Sequence, residues 1–235
     1  MGEGIPDAVT FLNERCLGPH RATAQPLLLT PTKAAAERHN QRGLNALSAD
    51  PVIFRAEVTG QLEIDRDRLP VPERLELRVG ARVMAMKNDP EGRWYNGSLG
   101  TVMGIHEGGV SVRFDRTGNE HLVSGAEWTK VRQEWNDESQ SIENRPVGAY
   151  RQIPLIPAWA ITIHKAQGLT LDDVRLDLGS GAFAPGQVYV ALSRVRTLAG
   201  LSLARPLRPT EVQADPMLRG LMAWAQSGTG RADQG

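Results

Sequence analysis

The spacing of apolar residues changes twice along this 235-residue chain, and that change limits its fold more than any other feature. Leu27-Leu28-Leu29 is a short apolar run, and a helical pattern follows it to about Leu47. Short alternating segments separated by turn residues then occupy roughly residues 81–123, and longer apolar runs return from Ile153. This order predicts an α/β domain with a parallel sheet that is interrupted by a small β barrel.

The same patterns predict the individual elements and their boundaries. Thr30 is expected to cap the first long helix, with Pro31 in its first turn, where a missing N–H costs nothing. The polar stretch 136–149 is predicted to be a loop. The predicted divisions are an N-terminal helix and linker (1–21, with the helix at 7–16), the α/β domain (22–80 plus 152–225, ending in a helix at 215–224), the barrel (81–151) and a flexible tail (226–235).

Composition excludes several classes of protein. Lys plus Arg and Asp plus Glu number 27 each, so the net charge of zero argues against a binder that works through a basic tail. Cys16 is the only cysteine, which rules out an intrachain disulfide and favours a cytoplasmic location. No apolar run is long enough to span a membrane, and the five scattered histidines predict no metal site.

Two strand-to-helix turns have the pattern of phosphate-binding sites. One is Thr30-Pro31-Thr32-Lys33, which follows the first apolar strand. The other is Thr162-Ile163-His164-Lys165-Ala166-Gln167-Gly168, in which a strand end leads into a helical turn closed by glycine. Such turns present unpaired backbone N–H groups, and phosphate is the natural ligand for them.

These turns belong to a set of four segments that resembles the superfamily 1B helicases of the RecD/Pif type. The resemblance covers most of residues 25–205 and includes, in order, 29–32 with Asn40, then 79–100, 162–168 and 186–194. It implies a second RecA-like domain with an inserted SH3-like barrel, forming the C-terminal half of an ATP-dependent DNA helicase. It further implies 5′-to-3′ translocation on single-stranded DNA and work in DNA repair or recombination.

The resemblance also implies roles for individual residues. Arg194, at the end of an amphipathic helix, would be the arginine finger that stabilises charge on the transferred phosphate, with Arg196 ranked second. Gln167 and Gly168 would lie near the nucleotide. The residues that would contact the DNA backbone are Thr30, Thr32, Thr162, His164 and Lys165.

The chain lacks one essential part of such a motor. No Gly-x-x-x-x-Gly-Lys-Ser/Thr segment is present, and Asp137-Glu138 lies in a polar stretch where a surface acidic pair is expected. We therefore expect ATP and Mg²⁺ to be bound mainly by an N-terminal RecA-like domain of the same protein. This chain alone is expected to be inactive.

Other interpretations remain open on the sequence alone. The chain could be a free-standing, non-catalytic nucleic-acid-binding module, or the motor half of a conjugative relaxase. A hydrolase using Ser193, His164 and Asp172 is a third alternative, although no Gly-x-Ser-x-Gly turn is present. In the barrel, Trp94 and Tyr95 are candidates for base stacking or for packing, and a basic surface is conceivable at Arg82, Lys87, Arg93 and Arg113.

Overall fold

The computed structural model describes residues 5–19, 25–60, 69–137, 140–180, 184 and 186–212. The chain divides into two compact units, of which the first comprises residues 1–37 and 160–235 and the second residues 38–159. The helix predicted at 215–224 and the predicted tail lie outside the described residues.

Within those ranges the chain forms three α-helices and fourteen strands. The helices are α1 (Ile5–Cys16), α2 (Lys33–Asn45) and α3 (Gln187–Leu192). The strands are β1 (Leu27–Thr30), β2 (Val52–Arg55), β3 (Glu57–Gly60), β4 (Arg74–Leu77), β5 (Arg82–Ala85), β6 (Leu99–His106), β7 (Gly109–Phe114), β8 (Glu120–Val123), β9 (Ala126–Asn136), β10 (Ser141–Gln152), β11 (Leu155–Pro157), β12 (Ala160–Thr162), β13 (Val174–Leu176) and β14 (Leu201–Leu203).

The first unit is built on a four-stranded sheet with the order β12-β1-β13-β14, in which every neighbouring pair is parallel. Its strands are short and mostly apolar, and Leu29, Val174 and Leu203 are completely inaccessible to solvent. Continuous apolar strands of this kind are typical of a parallel sheet that is covered on both faces. The predicted α/β class with a parallel sheet is confirmed.

The start of α2 differs from the prediction. The helix begins at Lys33, and Thr32 caps it by accepting a hydrogen bond of 3.2 Å from the backbone N–H of Ala35. The Thr30 hydroxyl instead donates to the Thr32 carbonyl at 3.1 Å. Thr30 is therefore the last residue of β1 and not the cap, because its backbone continues the parallel pairing with β12.

The second unit contains a five-stranded antiparallel sheet with the order β11-β5-β6-β7-β8. The predicted strands at 82–86, 100–105, 109–114 and 120–123 are confirmed within a residue at each end. Alternate residues of these strands form a hydrophobic core in which Val83, Val102 and Val112 are fully buried. The SH3-like character of this sheet remains a prediction.

The stretch predicted to be a loop at 136–149 is largely strand, and that prediction was wrong. β10 pairs with β9 over eleven positions, from Ser141 opposite Asn136 to Gln152 opposite Ala126. At its base, Tyr150 is buried and donates a hydrogen bond of 2.9 Å to the Val71 carbonyl. Towards its tip both faces are exposed, so the sequence carries no apolar alternation there, and the signal for a strand is lost.

The boundary between the two units also lies elsewhere along the chain than predicted. The division falls at 37/38 and 159/160, whereas the sequence placed it at 80/81 and 151/152. The intervening residues belong with the second unit because Leu75, Leu77 and Leu155 are part of its hydrophobic core.

Among the described residues, no helix has both the length and the hydrophobicity that a membrane crossing requires.

The turn between β5 and β6 is held by one carboxylate, that of Asp89. The Arg93 side chain donates two hydrogen bonds to it, at 2.7 and 2.8 Å, and the backbone N–H groups of Glu91 and Arg93 donate two more, both at 3.1 Å. These bonds, chiefly those from the Arg93 side chain, lower the pKa of Asp89 to about 2, although burial acts in the opposite direction. The ionised carboxylate therefore stabilises this turn.

We expect Asp89→Asn to lower the free energy of unfolding by about 1–3 kcal/mol at neutral pH, because it removes charged hydrogen bonds from a nearly inaccessible group. The pKa of Asp89 is lowered on folding, so its contribution is present above about pH 4 and is lost as the pH falls towards about 2. Denaturant unfolding measured across that range should show this loss in the parent protein and not in Asp89→Asn. Glu91→Gln, at an exposed position in the same turn, is the control and should change stability by less than about 0.5 kcal/mol.

Candidate nucleic-acid and nucleotide interface

The two predicted phosphate-binding turns lie side by side at one edge of the parallel sheet. β1 and β12 pair in parallel with Thr30 opposite Thr162, so each turn begins at the end of a neighbouring strand. The Ile163 N–H also donates a hydrogen bond of 2.9 Å to the Thr30 carbonyl, which joins the two turns directly. Segments that are 132 residues apart in sequence, counted from Thr30 to Thr162, thus form one surface.

The turn after β1 presents the start of α2. Thr32 is exposed, and its hydroxyl accepts from Ala35, which leaves the hydroxyl proton available to a ligand. Thr30 is only 1% exposed, and its own hydroxyl proton is engaged by the Thr32 carbonyl. Thr30 therefore shapes the turn from inside, and contact between its side chain and a phosphate remains a prediction.

The turn after β12 is closed by its own backbone. The Thr162 hydroxyl accepts from the Lys165 N–H at 3.2 Å, and the Thr162 carbonyl accepts from the Ala166 N–H at 3.1 Å. His164, Lys165 and Gln167 are exposed, whereas Ala166 is fully buried and anchors the turn. The three exposed side chains therefore project from a backbone that hydrogen bonds within the turn hold in place.

Gly168 ends this turn with a φ of +80°. That conformation is disfavoured for residues with a side chain, while a Cβ at this position would have no atom within 4 Å. The requirement for glycine here is therefore conformational and not one of space.

Lys165 is affected by its surroundings at this edge. Desolvation of the ammonium group and, second, the nearby charge of Lys33 lower the pKa of Lys165. The Lys165 residue as a whole is exposed, so this desolvation is partial and the group is still open to a ligand. Lys33 was not singled out in the sequence, where a lysine in the first turn of a helix carries no signal by itself.

Arg194 follows α3 and is held by neutral groups. Its guanidinium and Nε donate to the carbonyls of Leu169 and Val190, at 3.4 and 3.3 Å, and to the Ser193 hydroxyl at 3.0 Å. Among the residues that the structure describes, no carboxylate forms an ion pair with it. Within the described residues the charge of Arg194 thus has no ion-pair partner, and one of its weaker contacts reaches Leu169, which follows Gly168.

Arg196, the competing candidate, is in a different situation. Its Nε lies 3.3 Å from an oxygen of Asp172, so its charge has a partner. Backbone hydrogen bonds surround the pair, because the Leu171 N–H donates to the Arg194 carbonyl at 2.8 Å and the Arg196 N–H donates to the Leu171 carbonyl at 3.0 Å. Together these backbone bonds link the segment after the β12 turn to the end of α3. The ion pair with Asp172 distinguishes Arg196 from Arg194, which has no carboxylate partner among the described residues.

The hydrolase alternative is not supported by this geometry. Ser193 donates its hydroxyl proton to the Val190 carbonyl at 3.0 Å and accepts from Arg194. Asp172 pairs with Arg196, and within the described ranges no hydrogen bond joins Ser193, His164 and Asp172. The three residues therefore do not form the relay that activates a nucleophilic serine.

The candidate basic surface of the second unit is largely neutralised. Arg82 pairs with Asp115, Arg93 with Asp89 and Arg113 with Glu120, while Lys87 donates to the Glu127 carbonyl. Trp94 is buried and stacks on Phe114 with ring centroids 5.1 Å apart, which confirms packing over base stacking for this residue. Tyr95 is 59% exposed, so base stacking by this side chain stays a prediction. In the described part of the chain, no group of three or more His, Cys, Asp or Glu residues is placed to hold a metal ion.

We expect Gly168→Ala to lower the free energy of unfolding by about 1–2 kcal/mol, because alanine would have to adopt a left-handed conformation. Denaturant titration of the purified variant measures the loss. Gly108→Ala is the matched control, since Gly108 also has open space around its Cβ position but no positive φ. Equal effects of the two substitutions would contradict a conformational role for Gly168.

Known proteins resemble this chain over most of its length. No family model matches it. The ATP-dependent DNA helicase Pif1 of Bdellovibrio bacteriovorus is 37% identical over 209 residues, which cover 88% of this chain and 45% of that helicase. The mouse ATP-dependent DNA helicase PIF1 is 35% identical over 81% of this chain and 28% of its own length. The chain thus spans less than half the length of these curated relatives.

Solved structures of Pif1 helicases also superpose on this chain. Unliganded Pif1 from a Bacteroides species superposes with a TM-score of 0.81 at 29% identity, covering 95% of this chain and 51% of that one. Bacteroides Pif1 with ADP-AlF4 gives a TM-score of 0.80 at 30% identity, and the same helicase bound to single-stranded DNA gives 0.68 at 30%; each match covers 94% of this chain and 50% of the other. This chain therefore belongs to the Pif1-type superfamily 1B DNA helicases, and it spans about half or less of the length of the relatives that it matches.

Proposed function

We propose that this chain is the C-terminal motor portion of an ATP-dependent helicase that moves 5′ to 3′ along single-stranded DNA. The observation that carries the proposal is the in-register pairing of Thr30 with Thr162, which joins two phosphate-binding turns into one edge. The Pif1 relatives support the helicase class, and their alignment with only part of each helicase supports the assignment to a portion of the motor.

The edge suits a motor that must ignore base sequence. Thr32, His164 and Lys165 are exposed and Thr162 is half-buried, and their hydroxyl, imidazole and ammonium groups all donate to phosphate oxygens. Contacts to phosphates position a strand without distinguishing its bases. In this proposal Thr30 contributes by fixing the turn from which Thr32 projects.

Arg194 is proposed to be the arginine finger. ATP hydrolysis gathers negative charge on the transferred phosphate, and a guanidinium supplied from the facing domain stabilises that charge. A finger has to be free of carboxylates when that domain closes, and the described partners of Arg194 are two carbonyls and one hydroxyl. Its planar group also offers two parallel donors to phosphate, which lysine cannot.

Gln167 and Gly168 are proposed to lie near the nucleotide and to couple it to the DNA. Ala166 alone separates them from His164 and Lys165, and the next residue, Leu169, accepts a hydrogen bond from Arg194. A movement of the DNA-binding turn is thus transmitted to the finger over a few residues of hydrogen-bonded backbone. The bonds between Leu171 and the segment from Arg194 to Arg196 make that path stiff.

The remaining parts of the motor are proposed to lie in an N-terminal RecA-like domain of the same protein. That domain would provide the phosphate-binding loop, which this chain lacks, and would hold most of the ATP and Mg²⁺. The antiparallel sheet of the second unit is proposed to be the SH3-like insertion of this helicase branch. The cytoplasmic location suggested by the single cysteine stays a prediction.

We expect Arg194→Ala in the intact protein to lower kcat for ATP hydrolysis by about 1,000-fold or more, since it removes the finger. Single-stranded DNA affinity should change by less than about threefold, because Arg194 lies outside the phosphate-binding turns. Steady-state ATPase assays and fluorescence anisotropy measure the two effects. Arg196→Ala is the matched control and should retain ATPase activity within about fivefold. Equal loss of turnover and of DNA binding in Arg194→Ala would make the residue structural.

We further expect this chain, expressed alone, to show no ATPase activity stimulated by DNA, since it contains no phosphate-binding loop. The intact protein should unwind a duplex that carries a 5′ single-stranded overhang and leave one with a 3′ overhang intact. A gel-based unwinding assay with both substrates tests the direction. Robust ATPase activity of the isolated chain would refute the assignment of the phosphate-binding loop to an N-terminal domain.

A further inference from the structure

The outer part of the β9–β10 ribbon, residues 131–146, has one face that carries no charge. Directly paired residues of two antiparallel strands lie on the same face, and three such pairs form this uncharged face: Val131 with Pro146, Gln133 with Asn144, and Trp135 with Ile142. All six residues are exposed, and the fractions for Val131, Trp135 and Ile142 are 49%, 58% and 64%. Exposed apolar residues that adjoin one another in this way mark an interaction surface.

The packing of the ribbon itself does not account for the uncharged face. Near the base of the ribbon, Trp128 pairs with the buried Tyr150, and the two rings lie 6.0 Å apart. Side chains alternate along a strand, so Trp128 and Trp135 lie on opposite faces of β9. The apolar side chains of the outer ribbon therefore lie on the face opposite to the one that packs at the base.

β9 is also an edge strand with a free side. The sheet order is β3-β10-β9, and within the described ranges no strand pairs with the outer side of β9. The backbone N–H and C=O groups of an edge strand are a template for pairing with another chain. A strand added there would place alternate side chains beside Val131, Gln133 and Trp135.

We propose that the outer ribbon is a docking site for an extended segment of a partner protein, which pairs with β9 as a further strand. The segment carries apolar residues at every second position, against the uncharged face, and acidic residues between them. The acidic residues follow from the other face of the ribbon, where Arg132 lies directly opposite Arg145. Arg145 has a carboxylate partner in Glu134 at 3.2 Å, whereas no ion pair of Arg132 occurs among the described residues. A carboxylate on a strand beside β9 would complement Arg132.

Charge and size favour a single polypeptide segment over other occupants. The charged residues of the outer ribbon are two cations and four anions, a net charge of −2: Arg132 and Arg145 against Glu134, Asp137, Glu138 and Glu143. A surface with this excess of anions is unfavourable for a phosphate backbone. Six residues are too few for a stable interface between two folded surfaces, which takes about 20–30 residues a side, but they match one added strand.

The docking site contains none of the residues assigned to the helicase site, so the two proposals can fail separately. The test uses the intact protein and a fluorescent synthetic peptide of about ten residues that alternates valine with glutamate or threonine. Fluorescence anisotropy measures its binding. Two control peptides should not bind: one has the same composition with its valines grouped, and the other has a central proline, which removes a backbone donor.

Trp135→Thr should weaken binding of the alternating peptide by about 5- to 30-fold, because it removes apolar area and keeps a side chain suited to a strand. Ile142→Thr, on the paired strand, should weaken binding in the same direction. The matched control is Leu122→Thr, since Leu122 is 45% exposed on β8, the edge strand of the five-stranded sheet. This control should change the affinity by less than about twofold.

Arg132→Gln tests the charge of the partner segment. It should weaken binding by about 2- to 5-fold at low salt and have little effect at about 1 M salt, where exposed charges are screened. Thermal unfolding of all four variants should match that of the parent protein, because each substitution is at an exposed position. Weaker binding at unchanged stability separates a docking role from a structural one.

Four outcomes would overturn the inference. Failure of the alternating peptide to bind, or equal binding of the peptide with grouped valines, would exclude an added strand. Equal weakening by Leu122→Thr would reduce the effect to general hydrophobicity. Self-association of the protein in sedimentation velocity that Trp135→Thr abolishes would assign the uncharged face to a second copy of the chain. Displacement of the peptide by an oligonucleotide duplex would assign the outer ribbon to nucleic acid.

Discussion

The parallel pairing of β1 with β12 is the interaction on which the candidate site depends. It places Thr30 beside Thr162 and so brings together two turns that are separated by most of the chain. Backbone hydrogen bonds between the two parallel strands set this register. The exposed groups of the two turns take their positions from that pairing.

Arg194 depends on a second, smaller set of backbone bonds. The segment around Leu171 pairs with the end of α3, and the guanidinium reaches back to the Leu169 carbonyl. The proposed finger and the proposed DNA-binding turn therefore belong to one continuous hydrogen-bonded segment of the first unit. In the proposed motor, this connection would be the physical route by which DNA binding changes the position of the proposed finger.

Prediction from the sequence succeeded where a local pattern has one structural solution. The α/β class, the apolar strands and the four short strands of the second unit all followed from the spacing of apolar residues. It failed at β10, since the outer part of this strand, residues 141–146, pairs with β9 and is exposed on both faces, where no apolar alternation is needed. It also misplaced the cap of α2, because Thr30 and Thr32 are equally good caps and the continuation of β1 decided between them.

The sequence by itself determined which chemical groups are present: threonines and lysines after two strands, an arginine after a short helix, and no phosphate-binding loop. These are local properties, readable from residue type and spacing. Only the tertiary structure decided which groups act together. Strand register made the two Thr-x-x-Lys segments neighbours, and Asp172 neutralised Arg196 while no described carboxylate pairs with Arg194. Such choices depend on contacts between distant parts of the chain, which residue spacing along the sequence does not encode.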